Sequence, residues 1–179
     1  MHRHVAAALC AALLALLFTP SFAAEPQPRE PYGIDLEGFA YPYPVNLLPL
    51  VNDGEQLRMA YMDVAPAQGS GRVVVLLHGR NFPSSYWAPV IKTLNEAGYR
   101  VLVPDQIGFG KSSKPSADLH FDTLARNTIA LLDHLQIARA DIVAHSMGGM
   151  VAIRIARAFP DRIQHLVLAA PIGLEDYRL

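Results

Sequence analysis

The alternation of short apolar runs with longer amphipathic segments constrains the fold most. Residues 72–77 form a continuous run of β-branched residues and leucine after Arg72, typical of a strand buried on both faces. Similar runs predict strands over residues 99–103, 141–144 and 166–170, and helical spacing predicts helices over residues 85–97, 121–135 and 147–159. Strand–helix–strand alternation predicts an α/β fold, a mostly parallel sheet with helices on both faces.

Two further strands precede this region, and an arm precedes them. Residues 45–51 and 56–64 read as strands that are joined by the turn Asn52-Asp53-Gly54. Residues 24–44 are rich in proline, which blocks both helices and central strands, so we predict a surface arm. Four aromatic residues are expected to pack the arm onto the domain: Tyr32, Phe39, Tyr41 and Tyr43. The α/β domain is predicted to cover residues 45–179.

The first 23 residues have the layout of a secretory signal peptide. Arg3 is followed by an apolar run over residues 5–18, and Ser21 and Ala23 are small residues at the −3 and −1 positions of a cleavage site. Cleavage there would remove Cys10, the only cysteine of the chain. We therefore expect a periplasmic or secreted protein without thiol chemistry.

Composition and spacing exclude several function classes. The formal net charge of −1 gives no electrostatic footprint for nucleic acid. No apolar run is long enough to cross a membrane, so no span is expected after processing. Three histidines, His120, His134 and His165, have no metal-ligand spacing, and we expect neither a metal nor a cofactor. The expected partner is a small-molecule substrate, and the oligomeric state cannot be read from the sequence.

Gly110-Lys111-Ser112 looks like the end of a phosphate-binding loop of the G-x-x-x-x-G-K-S type. The first glycine of that motif would fall at position 105, which is Asp105. Residues 113–115 end in a proline and cannot open a helix cleanly. A nucleotide site is therefore not expected.

A serine lies directly between a predicted buried strand and a predicted helix. Ser146 has Ala144 two positions before it and Gly148 two positions after it. A turn that lifts a hydroxyl above the end of a sheet is so sharp that only tiny residues fit at its flanks. The N-terminus of the following helix also aims free N–H groups at negative charge that develops nearby. This pattern is a G-x-S-x-G nucleophile elbow, with alanine in place of the first glycine.

Two more motifs follow earlier strands. His78 and Gly79 begin the segment His78-Gly79-Arg80-Asn81-Phe82, and Asp105 begins D-x-x-G-x-G-x-S. With the elbow, these motifs resemble the α/β-hydrolase superfamily over roughly residues 45–179. The resemblance implies Ser146 as nucleophile, with oxyanion donors from the backbones of Met147 and Arg80 and with His78 and Gly79 in the oxyanion loop. It also implies that Asp105 and its glycines form a structural turn.

The resemblance implies a serine hydrolase, with ester hydrolysis as the expected reaction, although relatives cleave amides, lactones or C–C bonds, or form peracids. A serine instead of an aspartate at the elbow argues against a haloalkane dehalogenase or an epoxide hydrolase. A histidine base and an acid should follow the serine in this fold, but His165 lies at the wrong end of its strand. His145 should point to the opposite face from Ser146.

We therefore expect an incomplete version of the fold, ending after the sixth strand, that alone is inactive and poorly soluble. Residues 166–170 are expected to need strand partners on both sides and cover on both faces. The alternative function is a catalytically incomplete fragment or a non-catalytic binding module that keeps the first half of the fold.

Overall fold

The computed structural model describes residues 31–174. The predicted signal peptide over residues 1–23, Cys10 and the first part of the predicted arm lie outside the described residues and stay predictions. In the described part of the chain, no helix is both long and apolar enough to cross a membrane.

Six strands and three α-helices alternate along the described chain. The strands are β1 (Val45–Asn52), β2 (Glu55–Val64), β3 (Val73–Leu77), β4 (Arg100–Pro104), β5 (Ala140–His145) and β6 (Ile163–Ala169). The helices are α1 (Ala88–Glu96), α2 (Phe121–His134) and α3 (Met147–Ala158). Short 3-10 helices, Ser84–Trp87 and Pro160–Arg162, precede α1 and β6.

The strands form one sheet in the order β1-β2-β4-β3-β5-β6. Strand β2 is antiparallel to both β1 and β4. The remaining pairs, β4 with β3, β3 with β5, and β5 with β6, are parallel. The predicted mostly parallel sheet is thereby confirmed.

Helices cover both faces of the sheet. Neighbouring residues of a strand point to opposite faces, so adjacent residues belong to different apolar clusters. Leu77 and Ala144 belong to the apolar cluster under α2 and α3. Leu76 belongs to a second cluster, which also contains Ile91 of α1. The carboxyl ends of β3, β4 and β5 thus meet at one edge of a sheet that is packed from both sides.

The turn between β1 and β2 has the predicted chemistry. Asn52 pairs with Glu55, which leaves Asp53 and Gly54 as a two-residue loop. Their φ angles are 49° and 80°, and positive values at both positions identify a type I′ turn.

Two local predictions differ from the structure. The segment predicted as a helix over residues 85–97 begins as the 3-10 helix Ser84–Trp87, and α1 starts only at Ala88, where Pro89 occupies a position that needs no N–H donor. Strand β6 begins at Ile163 instead of residue 166. Its side chains alternate in exposure, and among the described residues it pairs only with β5, as expected for a strand whose second partner and cover are missing.

Candidate active site

Ser146 occupies a strained turn between β5 and α3. Its φ and ψ angles are 52° and −116°, a region that non-glycine residues rarely adopt. The neighbouring backbone holds it there: the Ser146 N–H donates to the Ala169 carbonyl at 3.1 Å, and the Ser146 carbonyl accepts from the Gly149 N–H at 2.9 Å. The sharp strand-to-helix turn expected from the sequence is therefore present.

Two glycines allow backbone segments to meet at this turn. A Cβ atom on Gly148 would lie 2.6 Å from the Leu77 carbonyl oxygen and 2.8 Å from that of His78. A Cβ atom on Gly79 would lie 2.9 Å from Nδ1 of His145 and 3.3 Å from Cβ of Ser146. From the sequence, we expected tiny residues at the flanks of this turn because the turn itself is sharp. The nearest atoms to Gly148 instead belong to the end of β3.

The His78 ring holds the loop that follows β3. His78 is fully buried, and its Nε2 accepts a hydrogen bond from the Gln106 N–H at 2.9 Å. A neutral ring that accepts at Nε2 carries its proton on Nδ1, so Nδ1–H donates to the Gly79 carbonyl at 2.8 Å. Burial lowers the pKa of His78, which favours this neutral form. Both ring nitrogens of His78 are thus engaged in holding the loops that follow β3 and β4.

Asp105 is the centre of a buried structural network. One carboxylate oxygen accepts from the Ser84 N–H at 2.6 Å. The other accepts from the Tyr41 hydroxyl at 2.6 Å and from the Lys111 N–H at 2.8 Å. A Cβ atom on Gly110 would overlap this carboxylate, since it would lie 2.1 Å from Cγ of Asp105. Asp105 joins the arm, the β3 loop and the β4 loop, which is the structural role that the resemblance implies.

Two backbone donors near Ser146 are free. Among residues 31–174, neither the Met147 N–H nor the Arg80 N–H donates a hydrogen bond to a protein acceptor. Met147 is the first residue of α3, so its N–H lies at the positive end of the helix dipole. The Arg80 N–H belongs to the loop that passes Ser146 at Gly79. Such a pair can stabilise an anion, while the exposed Arg80 side chain forms no ion pair within the described residues.

Among the described residues, none is positioned as a general base for the Ser146 hydroxyl. Within residues 31–174, the Ser146 hydroxyl has no histidine or carboxylate as a hydrogen-bond partner. The His145 ring packs on the other face, where its Nδ1 lies 3.1 Å from the Tyr86 hydroxyl. His165 contacts Asp141 at 2.6 Å, and Asp141 lies near the start of β5, at the opposite end from Ser146. The structure thus brings the predicted elbow and loop together without a base.

An apolar cavity of about 380 Å³ adjoins the β3 loop. Phe82 and Pro83 of this loop line it together with Phe109 of the β4 loop and with Tyr32 and Phe39 of the arm. No group of three or more potential metal ligands occurs in the described part of the chain. The cavity therefore offers aromatic and apolar walls, which suit a small organic molecule.

Two hydrogen bonds of tyrosine hydroxyls were not predicted from the sequence. Tyr41 was expected to pack the arm onto the domain, but its bond to Asp105, 64 residues away, has no local signal. Tyr86 had no predicted role, and it bonds to His145, 59 residues away.

The comparisons with known proteins agree on one family. A family model described as alpha/beta hydrolase fold matches residues 72–178. A haloalkane dehalogenase of Mycolicibacterium paratuberculosis is 36% identical over 132 residues, which are 72% of this chain and 43% of the dehalogenase. A 2-hydroxy-6-oxononadienedioate/2-hydroxy-6-oxononatrienedioate hydrolase of Burkholderia vietnamiensis is 39% identical over 124 residues, 66% of this chain and 42% of that protein.

A solved structure is also similar. The structure of a probable hydrolytic enzyme from Pseudomonas aeruginosa PAO1 superposes with a TM-score of 0.80 at 51% identity, covering 82% of this chain and 47% of that one. The chain thus spans less than half the length of these relatives.

Proposed function

Because this chain belongs to the alpha/beta hydrolase fold family, we propose that Ser146 is the nucleophile of a serine hydrolase that acts on carboxylic esters or related acyl compounds. The observation that carries the proposal is the backbone of Ser146, at φ 52° and ψ −116° between β5 and α3. Strain of this kind costs about 1–3 kcal/mol and persists where the surrounding structure maintains it for a function. Within residues 31–174, the Ser146 hydroxyl forms no hydrogen bond that would give it a structural role in the turn.

The proposed reaction proceeds in two steps. The Ser146 oxygen adds to the substrate carbonyl carbon while its proton passes to a base, and the carbonyl oxygen becomes an oxyanion. The oxyanion collapses, the alcohol leaves with a proton, and an acyl ester on Ser146 remains for water to hydrolyse. The N–H groups of Met147 and Arg80 are proposed to bind the oxyanion. The proposal assigns the base and its orienting acid to no described residue.

A serine at the elbow favours acyl chemistry over the dehalogenase chemistry of the Mycolicibacterium relative. Displacement of a halide by a serine oxygen would leave an alkyl ether, and water cannot cleave an ether by adding to a carbonyl. An acyl ester on serine retains a carbonyl that water can attack. The mostly apolar cleft of about 380 Å³ beside the loop of Phe82 does not include Ser146, and we propose it only as the place where an extended part of a small organic substrate would lie.

The test is hydrolysis of p-nitrophenyl acetate by the protein expressed from its natural reading frame. We expect turnover that Ser146→Ala reduces by about 10⁶-fold if the catalytic residues act as a unit. The control is Ser116→Ala, because Ser116 is an exposed serine that bonds only to Glu55 in the described chain. Equal turnover by Ser146→Ala and wild type would overturn the proposal. Complete absence of turnover would favour a non-catalytic binding module.

A further inference from the structure

Tyr86 and His145 form a polar pair that the proposed reaction does not use. The Tyr86 hydroxyl lies 3.1 Å from Nδ1 of His145, and both side chains are half-buried. The Tyr86 ring stacks on Trp87 with a centroid distance of 4.8 Å, which fixes its plane. Burial raises the pKa of Tyr86 to about 12, so the hydroxyl keeps its proton at neutral pH and hydrogen-bonds with Nδ1 as a neutral group.

This pair touches the peptide that leads to Arg80. A Cβ atom on Gly79 would lie only 2.9 Å from Nδ1 of His145, so the imidazole ring presses directly on Gly79. The Tyr86 hydroxyl, 3.1 Å from the same Nδ1, holds the ring in this position. On its carbonyl side, Gly79 is held by Nδ1–H of His78 at 2.8 Å. The rings of His145 and His78 therefore lie against Gly79, and Tyr86 holds the first of them.

The orientation of Gly79 determines where the Arg80 N–H points. The Gly79 carbonyl and the Arg80 N–H belong to one planar trans peptide, so they point in opposite directions. His78 fixes the carbonyl end, while the His145 ring, held by Tyr86, packs against the glycine itself. A loop without these contacts could turn the peptide and carry the N–H away from Ser146.

We propose that Tyr86, acting through His145, is a positioning residue that keeps the Arg80 N–H aimed at the oxyanion above Ser146. This inference rests on the proposed function of Ser146. It gives a role to His145, which adjoins the serine but faces away from it. The pair touches neither the substrate nor the reacting atoms, so its effect must appear in the transition state and not in substrate binding.

The test compares Tyr86→Phe with a matched control, Tyr99→Phe, in the protein expressed from its natural reading frame. Tyr99 also uses its hydroxyl for one hydrogen bond, from Arg72 at 2.8 Å, but it directly precedes β4, at the end of the sheet remote from Ser146. With p-nitrophenyl acetate, Tyr86→Phe should lower kcat by about 10- to 100-fold, the scale expected for a displaced oxyanion donor. KM should change less than about twofold, because only transition-state binding is lost.

A second variant separates positioning from general damage. His145→Phe removes the hydrogen-bonding partner of Tyr86, so the Tyr86→Phe/His145→Phe double variant should be no slower than the slower single variant. Wild-type kcat in Tyr86→Phe, or equal losses in Tyr86→Phe and Tyr99→Phe, would overturn the inference while Ser146-dependent turnover of the wild type stands. A wild type without Ser146-dependent turnover would overturn the proposed function and this inference with it.

Discussion

Replacing Gly148 with alanine tests the packing of the elbow against β3. A Cβ atom there would lie 2.6 Å from the Leu77 carbonyl oxygen and 2.8 Å from that of His78. To reach ordinary van der Waals contact at 3.4 Å, the first pair must separate by 0.8 Å. Both obstacles are backbone atoms, so no side-chain rotation can relieve the overlap.

The expected energy follows from two opposing effects. Overpacking of a buried site costs about 1–3 kcal/mol, and alanine in place of glycine in a helix returns at most about 1 kcal/mol. Gly148→Ala should therefore lower the free energy of unfolding by about 1–2 kcal/mol. Because the displaced carbonyls lead into the loop of Gly79 and Arg80, a shift of this size should also lower kcat by about 10- to 100-fold.

The assay is urea denaturation of the variant and of a matched control, Gly69→Ala. A Cβ atom on Gly69 meets its nearest neighbour, Cγ of Pro66, at an ordinary 3.7 Å. The control should stay within about 0.5 kcal/mol of wild type. A Gly148→Ala variant that is as stable and as active as Gly69→Ala would refute the claim that Gly148 is required for close approach to β3.

Two further predictions concern the buried polar groups around the site. Asp105→Asn should destabilise the fold by about 2 kcal/mol or more in urea denaturation, because the amide nitrogen cannot accept, so in one orientation the Ser84 N–H and in the other Tyr41 and Lys111 lose their acceptor; a loss below about 0.5 kcal/mol would contradict the network. The pKa of His78 in the folded protein lies below its value of about 6.5 in the unfolded chain. Between these two pKa values, the unfolded chain binds more protons at His78 than the folded protein does. The His78 contribution to stability should be complete above about pH 6.5 and decline as the pH falls, with a limiting slope of about 1.4 kcal/mol per pH unit. Urea midpoints across pH 5–8 should fall less steeply in His78→Asn than in wild type, and identical slopes would contradict this role.

The parts of the fold that sequence predicted were those with local signals. Residues 73–77 are apolar without interruption, so β3 was recognisable as a buried strand. The sharp turn at Ser146 followed from a serine between a strand and a helix with tiny flanking residues. The Asp53-Gly54 turn followed from the backbone preferences of its two residues.

The remaining features depend on contacts between distant segments. The Asp105 carboxylate accepts a hydrogen bond from the hydroxyl of Tyr41, which lies 64 residues earlier in the chain. No local sequence pattern predicts this hydrogen bond. Strand β6 begins at Ile163, ahead of the polar residues Gln164 and His165, because pairing of Ile163 with Ala140 of β5 extends it backward. The restriction at Gly148 comes from the carbonyls of β3, which are 70 residues or more earlier in the chain.

The most direct test of the central claim is to locate a covalent adduct. The protein, expressed from its natural reading frame, is treated with a fluorophosphonate, which reacts with activated serines, and its peptides are examined by mass spectrometry. The account predicts a single adduct on Ser146 that is absent in Ser146→Ala and kept in Ser116→Ala. An adduct on another serine, or labelling that survives Ser146→Ala, would contradict the account.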